Sequence, residues 1–251
     1  MAENIVSPGV FTRENDLSFI PQGVAEIGAA IVGPTVKGPV NVPIKVNSFS
    51  DYAATFGTTF KSGSSYYEFF TSIAAEYYLR NSGALTVVRV VSGSTFGPAS
   101  ASATCSLVAA NAFDVFTLAD GVIMNSAGTL GTNSALAEGT TDNLRYEISN
   151  VNNETGTFTF SIRRGDDTEN RKIYLEQYNN VNLDPNTTNY IGRAVGTQRL
   201  TIQDAATADP FLQLSGDYPN ISKYVRVANI RDTIDYLDTN GDVRVGSASG
   251  S

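Results

Sequence analysis

The chain contains no histidine, no tryptophan and a single cysteine, Cys105. Each absence removes chemistry. Without histidine there is no Ser-His-Asp triad, no Cys-His dyad and no imidazole metal ligand. One thiol can build neither an internal disulfide framework nor a thiolate zinc site. Cys105 sits in Ala103-Thr104-Cys105-Ser106-Leu107, which reads as a buried strand with the thiol acting as a small hydrophobe. Cations are scarce as well: 17 Lys and Arg stand against 25 Asp and Glu, for a formal charge of −8. No basic run exceeds two residues, as at Arg163-Arg164. Such a surface repels phosphates, so binding to DNA or RNA is not expected. No apolar run approaches the ~18 residues of a membrane span. Met1-Ala2-Glu3-Asn4 lacks the basic and apolar regions of a signal peptide, so folding in a cytoplasm is expected. No strand-preceded glycine loop ending in Lys-Ser/Thr is present, which leaves an NTP-driven motor without support.

What remains is 41% apolar and 17% charged over 251 residues, long enough for one large or two modest cores. The low charge and the abundance of Gly, Ser, Thr and Asn favour a turn-rich, β-rich protein. Residues 1–20 read as an extended arm. Ile5-Val6-Ser7-Pro8-Gly9-Val10-Phe11 is apolar but broken by Pro8-Gly9, and too short to bury itself. Residues 21–95 read as an α/β unit. Ile27–Val32, closed by Gly33-Pro34, is a buried strand. Val42–Val46 is a second strand, placed at an edge because Pro43 cannot donate to a ladder. Ser50 to Gly57 predicts a short helix with a serine N-cap and a glycine stop. Ser65-Tyr66-Tyr67-Glu68 has capping-box spacing, and Phe70, Ile73, Ala74 and Tyr77 recur as one amphipathic stripe of a second helix ended by Asn81-Ser82-Gly83. Leu85–Val91 is a central strand, so the helix is a crossover covering one sheet face.

From Ser92 the pattern weakens, with a β-like piece at Phe113–Leu118. Leu144–Ile148 and Thr157–Arg163 alternate around a loop at Asn152–Gly156, a hairpin signal. Further strands are expected at Arg171–Tyr178, Thr197–Gln203 and Lys223–Ala228, a short helix within Pro185–Val195, and an Asn240-Gly241 hairpin turn. Residues 96–245 therefore read as a β-rich region, and 246–251 as a linker. The expected fold class is α+β: an N-terminal extended arm, a small α/β sandwich unit, then a β-rich inserted domain.

Short motifs give little. Arg164-Gly165-Asp166 is read as a turn between strands. Asp238–Asp242 has its glycine in the wrong place for a calcium loop. Asn153, Asn186 and Asn220 open chance glycosylation sequons. Asp166-Asp167 with Glu169 or Glu176 has the residue types of a glycosidase pair, but adjacent acids on a polar turn read as solvated. Tyr66, Tyr67, Tyr77 and Tyr78 form two aromatic pairs, each expected to place one ring in the core and one at an interface. No catalytic residue, cofactor or metal is assigned.

In order along the chain, several pieces resemble the contractile tail sheath proteins of myovirus-type bacteriophages. They are Ser7-Pro8-Gly9-Val10; Gly28–Pro34 with Gly38-Pro39; Ser48–Asp51 with Phe56-Gly57; Asn81-Ser82-Gly83 leading into Leu85–Val91; and Ile162–Asp167, Leu175-Glu176, Asn182–Asn186 and Asn189-Tyr190-Ile191. The resemblance implies a structural subunit that polymerises as stacked hexameric rings around a tail tube and contracts to drive genome ejection. The resemblance implies neither enzymatic activity nor a cofactor. Implied partners are identical sheath subunits, the tail tube and baseplate proteins, with no nucleic acid and no membrane insertion. The implied location is the virion tail, after assembly in the host cytoplasm. Family members continue into a C-terminal region completing the inner domain, so this chain resembles their front portion. The family's arm adds a strand to a neighbouring subunit, and Val6, Pro8, Gly9, Val10, Phe11, Arg13 and Glu14 match it, with Val6, Val10 and Phe11 as anchors. The alternative expectation is a β-rich module binding a glycan or host receptor, marked by an exposed aromatic cleft. A carboxylate hydrolase is the third.

Overall fold

The structure is a computed structural model that describes residues 28–62, 64–92, 97–108, 111–121, 124, 128–203 and 209–233. The expected arm, the Asn240-Gly241 turn and the linker all lie outside these residues.

The first sheet has three strands in the order β1 (Ala29–Gly33), β5 (Leu85–Arg89), β2 (Pro43–Val46). β1 runs parallel to β5 and β2 antiparallel to it. The edge position of the proline-bearing β2 and the central position of β5 agree with the pattern of the sequence. Two helices, α1 (Phe49–Phe56) and α2 (Phe70–Leu79), cover one face. Val46, Tyr52, Phe56, Ala75, Leu85 and Val87 form the core between them. The N-cap of α1 is Ser48 rather than Ser50, its side chain accepting from the Asp51 amide at 3.2 Å. Asp51 then sits in the first turn, where the helix dipole favours an anion. Gly57 ends α1 at φ 69°, a left-handed conformation that a side chain resists.

Between the helices lies a hairpin, β3 (Thr59–Ser62) and β4 (Ser65–Glu68). The expected capping box is therefore strand, and α2 begins at Phe70 without a side-chain cap. The amphipathic stripe is also inverted. α2 buries Thr71, Ser72 and Ala75, while Phe70 is 89% exposed and Tyr77 62%. The reason is close approach. A Cβ on Gly33 would lie 2.5 Å from Thr71 Oγ1, so the glycine of β1 and the small residues of α2 let helix and strand touch. Tyr52 and Ser72 hydroxyls meet at 3.0 Å, and the Ala29 amide donates to the Tyr78 hydroxyl at 3.0 Å. Bulky side chains would hold that interface apart, so they point outward.

The remaining described residues form a β-sandwich with peripheral pieces. β6 (Pro98–Thr104), β7 (Asn111–Asp120) and β13 (Val225–Ala228) form one sheet in the order β13-β7-β6. β8 (Leu144–Asn152), β9 (Thr157–Arg164) and β10 (Tyr174–Val181) form a meander. The sheets meet through Phe113, whose ring centroid lies 5.5 Å from Phe160 and 6.0 Å from Phe158. Cys105 joins this core just past the end of β6. A short helix α3 (Ile191–Val195) closes one end of the core, and β11 (Arg199–Gln203) pairs with β12 (Phe211–Ser215) as a ribbon. The fold is α+β, with several sheets and few short helices.

The two cores are joined by polar contacts. Arg89, at the end of β5, is buried, and its Nη1 donates to the carbonyls of Gly38 at 2.6 Å and Asp120 at 2.7 Å. The Asp120 carboxylate accepts from the Val40 amide at 3.0 Å. Burial lowers the pKa of Arg89 and the nearby Asp120 opposes that shift, yet a guanidinium stays charged. Replacing Arg89 with methionine keeps the aliphatic stem but removes two charge-assisted hydrogen bonds, each worth roughly 1–3 kcal/mol, and leaves the Gly38 carbonyl with the Asp120 amide alone. Arg89→Met should lower stability by about 2–6 kcal/mol. The check is the guanidinium chloride midpoint, with Arg89→Lys falling between the two.

Candidate functional site

The seven residues expected to form the inter-subunit arm, Val6, Pro8, Gly9, Val10, Phe11, Arg13 and Glu14, lie outside the described residues. What the described residues supply is the surface such a segment would meet. Among them, β1 pairs on one side only, with β5, and its other edge is open. α1 and α2 cover one face of that sheet. Pro43, Lys45, Ala30 and Val32 stand exposed on the other, Val32 at 67%, in register with half-buried Thr86 and Val88. An open edge presents unpaired backbone groups, and an aliphatic face beside it offers burial to an added strand.

Further apolar surfaces are exposed elsewhere. The outward side of α2 carries Phe70 and Tyr77, with the Arg80 guanidinium 5.2 Å from the Tyr77 ring centroid. In the β3–β4 hairpin both Tyr66 and Tyr67 are exposed, so the expectation of one core ring per pair fails there. The reason is that a two-stranded hairpin has no second layer to cover either ring, although Tyr67 still packs on Phe60 at 5.9 Å. The other pair behaves as expected, with Tyr77 exposed and Tyr78 packed on the core. The β11–β12 ribbon pairs Leu200 with Leu214 and Ile202 with Leu212, so one of its faces is aliphatic, and Leu200, Leu212 and Leu214 are exposed on it. The sequence signal for β12 is the alternation Phe211-Leu212-Gln213-Leu214, which sequence reasoning passed over.

The acidic candidates resolve into structure. Asp167 is buried, not solvated on a turn. Arg163 grips it in a bidentate pair, Nε at 2.6 Å and Nη2 at 2.9 Å, and Arg145 Nη1 adds a third contact at 2.9 Å. The Ile173 amide donates to it at 3.1 Å. The turn is polar because it closes on two arginines arriving from β8 and β9. Glu147 accepts from Arg163 at 2.9 Å and from Lys172 at 2.7 Å, and Glu169 from Lys172 at 2.8 Å. Asp166 pairs with Arg164 across the Gly165 turn. Glu176 accepts from the Ser222 hydroxyl at 2.6 Å and the Lys223 amide at 2.9 Å. Burial pushes the Asp167 carboxyl up, but hydrogen bonds and charge from Arg163, with Ile173 and Arg145, outweigh it and hold the pKa below the ordinary range. Glu147 is lowered in the same way, burial being outweighed by Lys172 and Arg163. A glycosidase acid needs the opposite shift. Among the described residues no group of three or more His, Cys, Asp or Glu could hold a metal ion.

Two cavities are comparable in size. One of about 260 Å³ lies beside Val115, Met124, Leu144 and Tyr146, and one of about 350 Å³ between the first sheet and the β-rich part, beside Val42, Asp51, Leu118 and Arg199. Neither contains the acidic cluster.

No protein-family model matches the chain, and no curated protein matches it. Among solved structures, the chain is similar to the sheath tail protein from Desulfitobacterium hafniense. The identity is 14% and the TM-score 0.32, over 92% of this chain and 40% of the other. The chain thus spans about two-fifths of that protein's length, and the likeness is distant and partial.

The ionic cluster yields a pH prediction. A carboxyl whose pKa is lowered on folding stabilises the fold above its unfolded pKa, near 4, and loses that contribution as pH falls through the folded value. Stability should therefore drop below about pH 4. Asp167→Asn should cost about 3–5 kcal/mol at pH 7, because it leaves buried arginines underpaired. Its stability should also change less between pH 6 and pH 3 than that of the wild-type chain, as read from urea unfolding at each pH.

Proposed function

We propose that the chain is a structural subunit of a phage contractile tail sheath. It polymerises with identical subunits as stacked hexameric rings around a tail tube, ends at a baseplate, and contracts to drive genome ejection from the virion. The observation that carries this reading is the first sheet, covered by helices on one face only and open along β1. The pieces that resemble the sheath family support it: apart from Ser7–Val10, which lie outside the described residues, they fall on or beside this sheet, on α1, on the α2–β5 connection and on the stretch from β9 to α3. In this reading residues 1–20 leave their own subunit and add a strand to the open edge of a neighbour. Backbone hydrogen bonds supply the attachment, and Val6, Val10 and Phe11 anchor it. Each subunit gives one arm and receives one, so the contact is heterologous and propagates as a helix. Contraction releases a kinetically held arrangement of interfaces, with no nucleotide.

The rival reading, a glycan- or receptor-binding module, calls for an aromatic cleft in the β-rich part. Among the described residues there, the exposed large aromatics are Tyr174 and Phe211, on separate strands, whereas Tyr66, Tyr67, Phe70 and Tyr77 group on the hairpin and α2.

The test is deletion of residues 1–20 from the assembling protein. Circular dichroism and the unfolding midpoint should be unchanged, while tubes seen by negative-stain electron microscopy disappear. Tubes of ordinary length and number from the deletion variant would overturn the arm mechanism.

A further inference from the structure

We propose that the cleft of about 350 Å³ between the first sheet and the β-rich part binds a small oxyanion, a carboxylate or phosphate carried on an apolar body, with Arg199 and Arg226 receiving its charge. The site is separate from the assembly reading and stands without it.

The backbone brings the two arginines together. Arg226 lies on β13 in register with Phe116 of β7, and its guanidinium carbon sits 4.5 Å from the Phe116 ring centroid. The next residue, Val227, donates its amide to the Gly196 carbonyl at 2.9 Å, so the segment leading into β11 passes alongside β13. Asn220 Nδ2 donates to the Gln198 carbonyl at 2.6 Å and pins that segment. Arg199 follows, and both arginines line the cleft.

Their charge is unanswered. Elsewhere the covered arginines end on fixed oxygens: Arg89 on two carbonyls, Arg145 and Arg163 on Asp167, Arg164 on Asp166. Arg226 is half-buried too, yet among the described residues it meets the Phe116 ring and the charge of Arg199, and no oxygen acceptor. Burial, and then the charge of Arg199, lower its pKa. A covered charge is tolerable when a counter-charge or acceptor replaces water, and here that place is open. The acids of the cleft are already engaged. Asp51 faces Lys223 at 3.7 Å, and the Asp120 carboxylate accepts from the Val40 amide and lies near Arg89. Lys45 reaches the cleft from β2 with no carboxylate partner among the described residues. The cleft thus gathers four cations against two carboxylates, in a chain whose net charge is −8. Positive charge concentrated in a concave site against the sign of the whole selects an anion.

The walls define the rest of the ligand. Val42, Ile44 and Leu118 line the same cleft and give an apolar body somewhere to lie. The volume is at the lower end of small-molecule sites, which run from roughly 300 to 1,000 Å³, so a folded partner or a duplex does not enter. A guanidinium fork matches the paired oxygens of a carboxylate or phosphate. β2 and α1 belong to the first core, and β7, β11 and β13 lie outside it, so a bound anion ties the two parts together beside the Arg89 join.

The experiment uses the full chain and two probes, phenyl phosphate and benzoate, with neutral benzamide as the control. Each is titrated by calorimetry at low salt. The expected result is saturable binding of at least one anion at one site per chain, about tenfold or more tighter than benzamide and weakening as salt is added. Whichever anion binds more tightly names the charged group. Arg199→Gln and Arg226→Gln should each weaken binding about tenfold or more. Arg171→Gln, an equal loss of charge on an exposed turn outside the cleft, should leave it unchanged. Arg199 is exposed, so its variant keeps the fold, and circular dichroism verifies both. The thermal unfolding midpoint should rise with the anion in the wild-type chain and not in Arg199→Gln. Binding of neither anion, equal binding of benzamide, or binding indifferent to both arginine changes would overturn the proposal, including the case in which another segment of the chain fills the cleft.

Discussion

Arg89 stands where the side-chain alternation of β5 would place a third core residue. Leu85, Val87 and Arg89 point to the same side of the strand, and all three are buried. The first two meet the helices. The third reaches past them to the carbonyls of Gly38 and Asp120. A guanidinium cannot shed its charge, so its burial is tolerable only where fixed acceptors replace water. Those acceptors belong to the loop before β2 and to the end of β7. The Asp120 amide in turn donates to the Gly38 carbonyl at 3.1 Å. One side chain thus fixes the loop, the central strand and the first long strand of the sandwich relative to one another. The two apolar cores stay separate, and the join between them is directional rather than oily.

The ionic cluster on the sandwich follows the same logic with different parts. Arg163 is a buried residue on the central strand of a three-stranded meander, on the side away from Phe158, Phe160 and Ile162. That side also buries Thr159 and Ser161, and around Arg163 it is filled by charge: two arginines and a lysine against Asp167, Glu147 and Glu169. The bidentate geometry fixes the turn at residues 165–167 as firmly as apolar packing would. It also holds the Asp167 and Glu147 carboxyls below their ordinary range, opposite to the shift that an acid catalyst needs.

Much of this was legible in the sequence where one physical signal acted alone. Pro43 placed β2 at an edge because a missing amide has one consequence. The β-branched run of Leu85–Val91 marked the centre of a sheet, and the alternation on either side of Asn152–Gly156 marked a hairpin. Errors arose where two signals competed. Ser65–Glu68 matches a capping box and also a strand with two tyrosines, and pairing with Thr59–Ser62 decided for the strand. The α2 stripe satisfied helical periodicity, but periodicity does not say which face turns inward. That depended on Gly33, some forty residues earlier, whose missing side chain lets Thr71 and Ser72 approach. Asp167 was misread for a similar reason: its partners Arg145 and Arg163 lie on two other strands, and sequence adjacency to Asp166 gave the wrong neighbour. The arm assignment rests on resemblance to a family alone, since a short apolar segment broken by Pro8-Gly9 has no local partner to predict, and its residues lie outside those described.

Three exposed apolar surfaces now stand together: the bare face of the first sheet, the outer side of α2 and the aliphatic face of the β11–β12 ribbon. A monomer that kept all three in water would be prone to aggregate, and open strand edges would compound the hazard. The net charge of −8 opposes indiscriminate contact. In the assembly proposed above, several patches would engage at once in one geometry, because a first contact raises the effective concentration for a second. Small separate patches on a repelling background are therefore better suited to ordered polymerisation than one large patch would be. A large patch commits two molecules to each other, whereas several weak ones reward only the arrangement that satisfies them all.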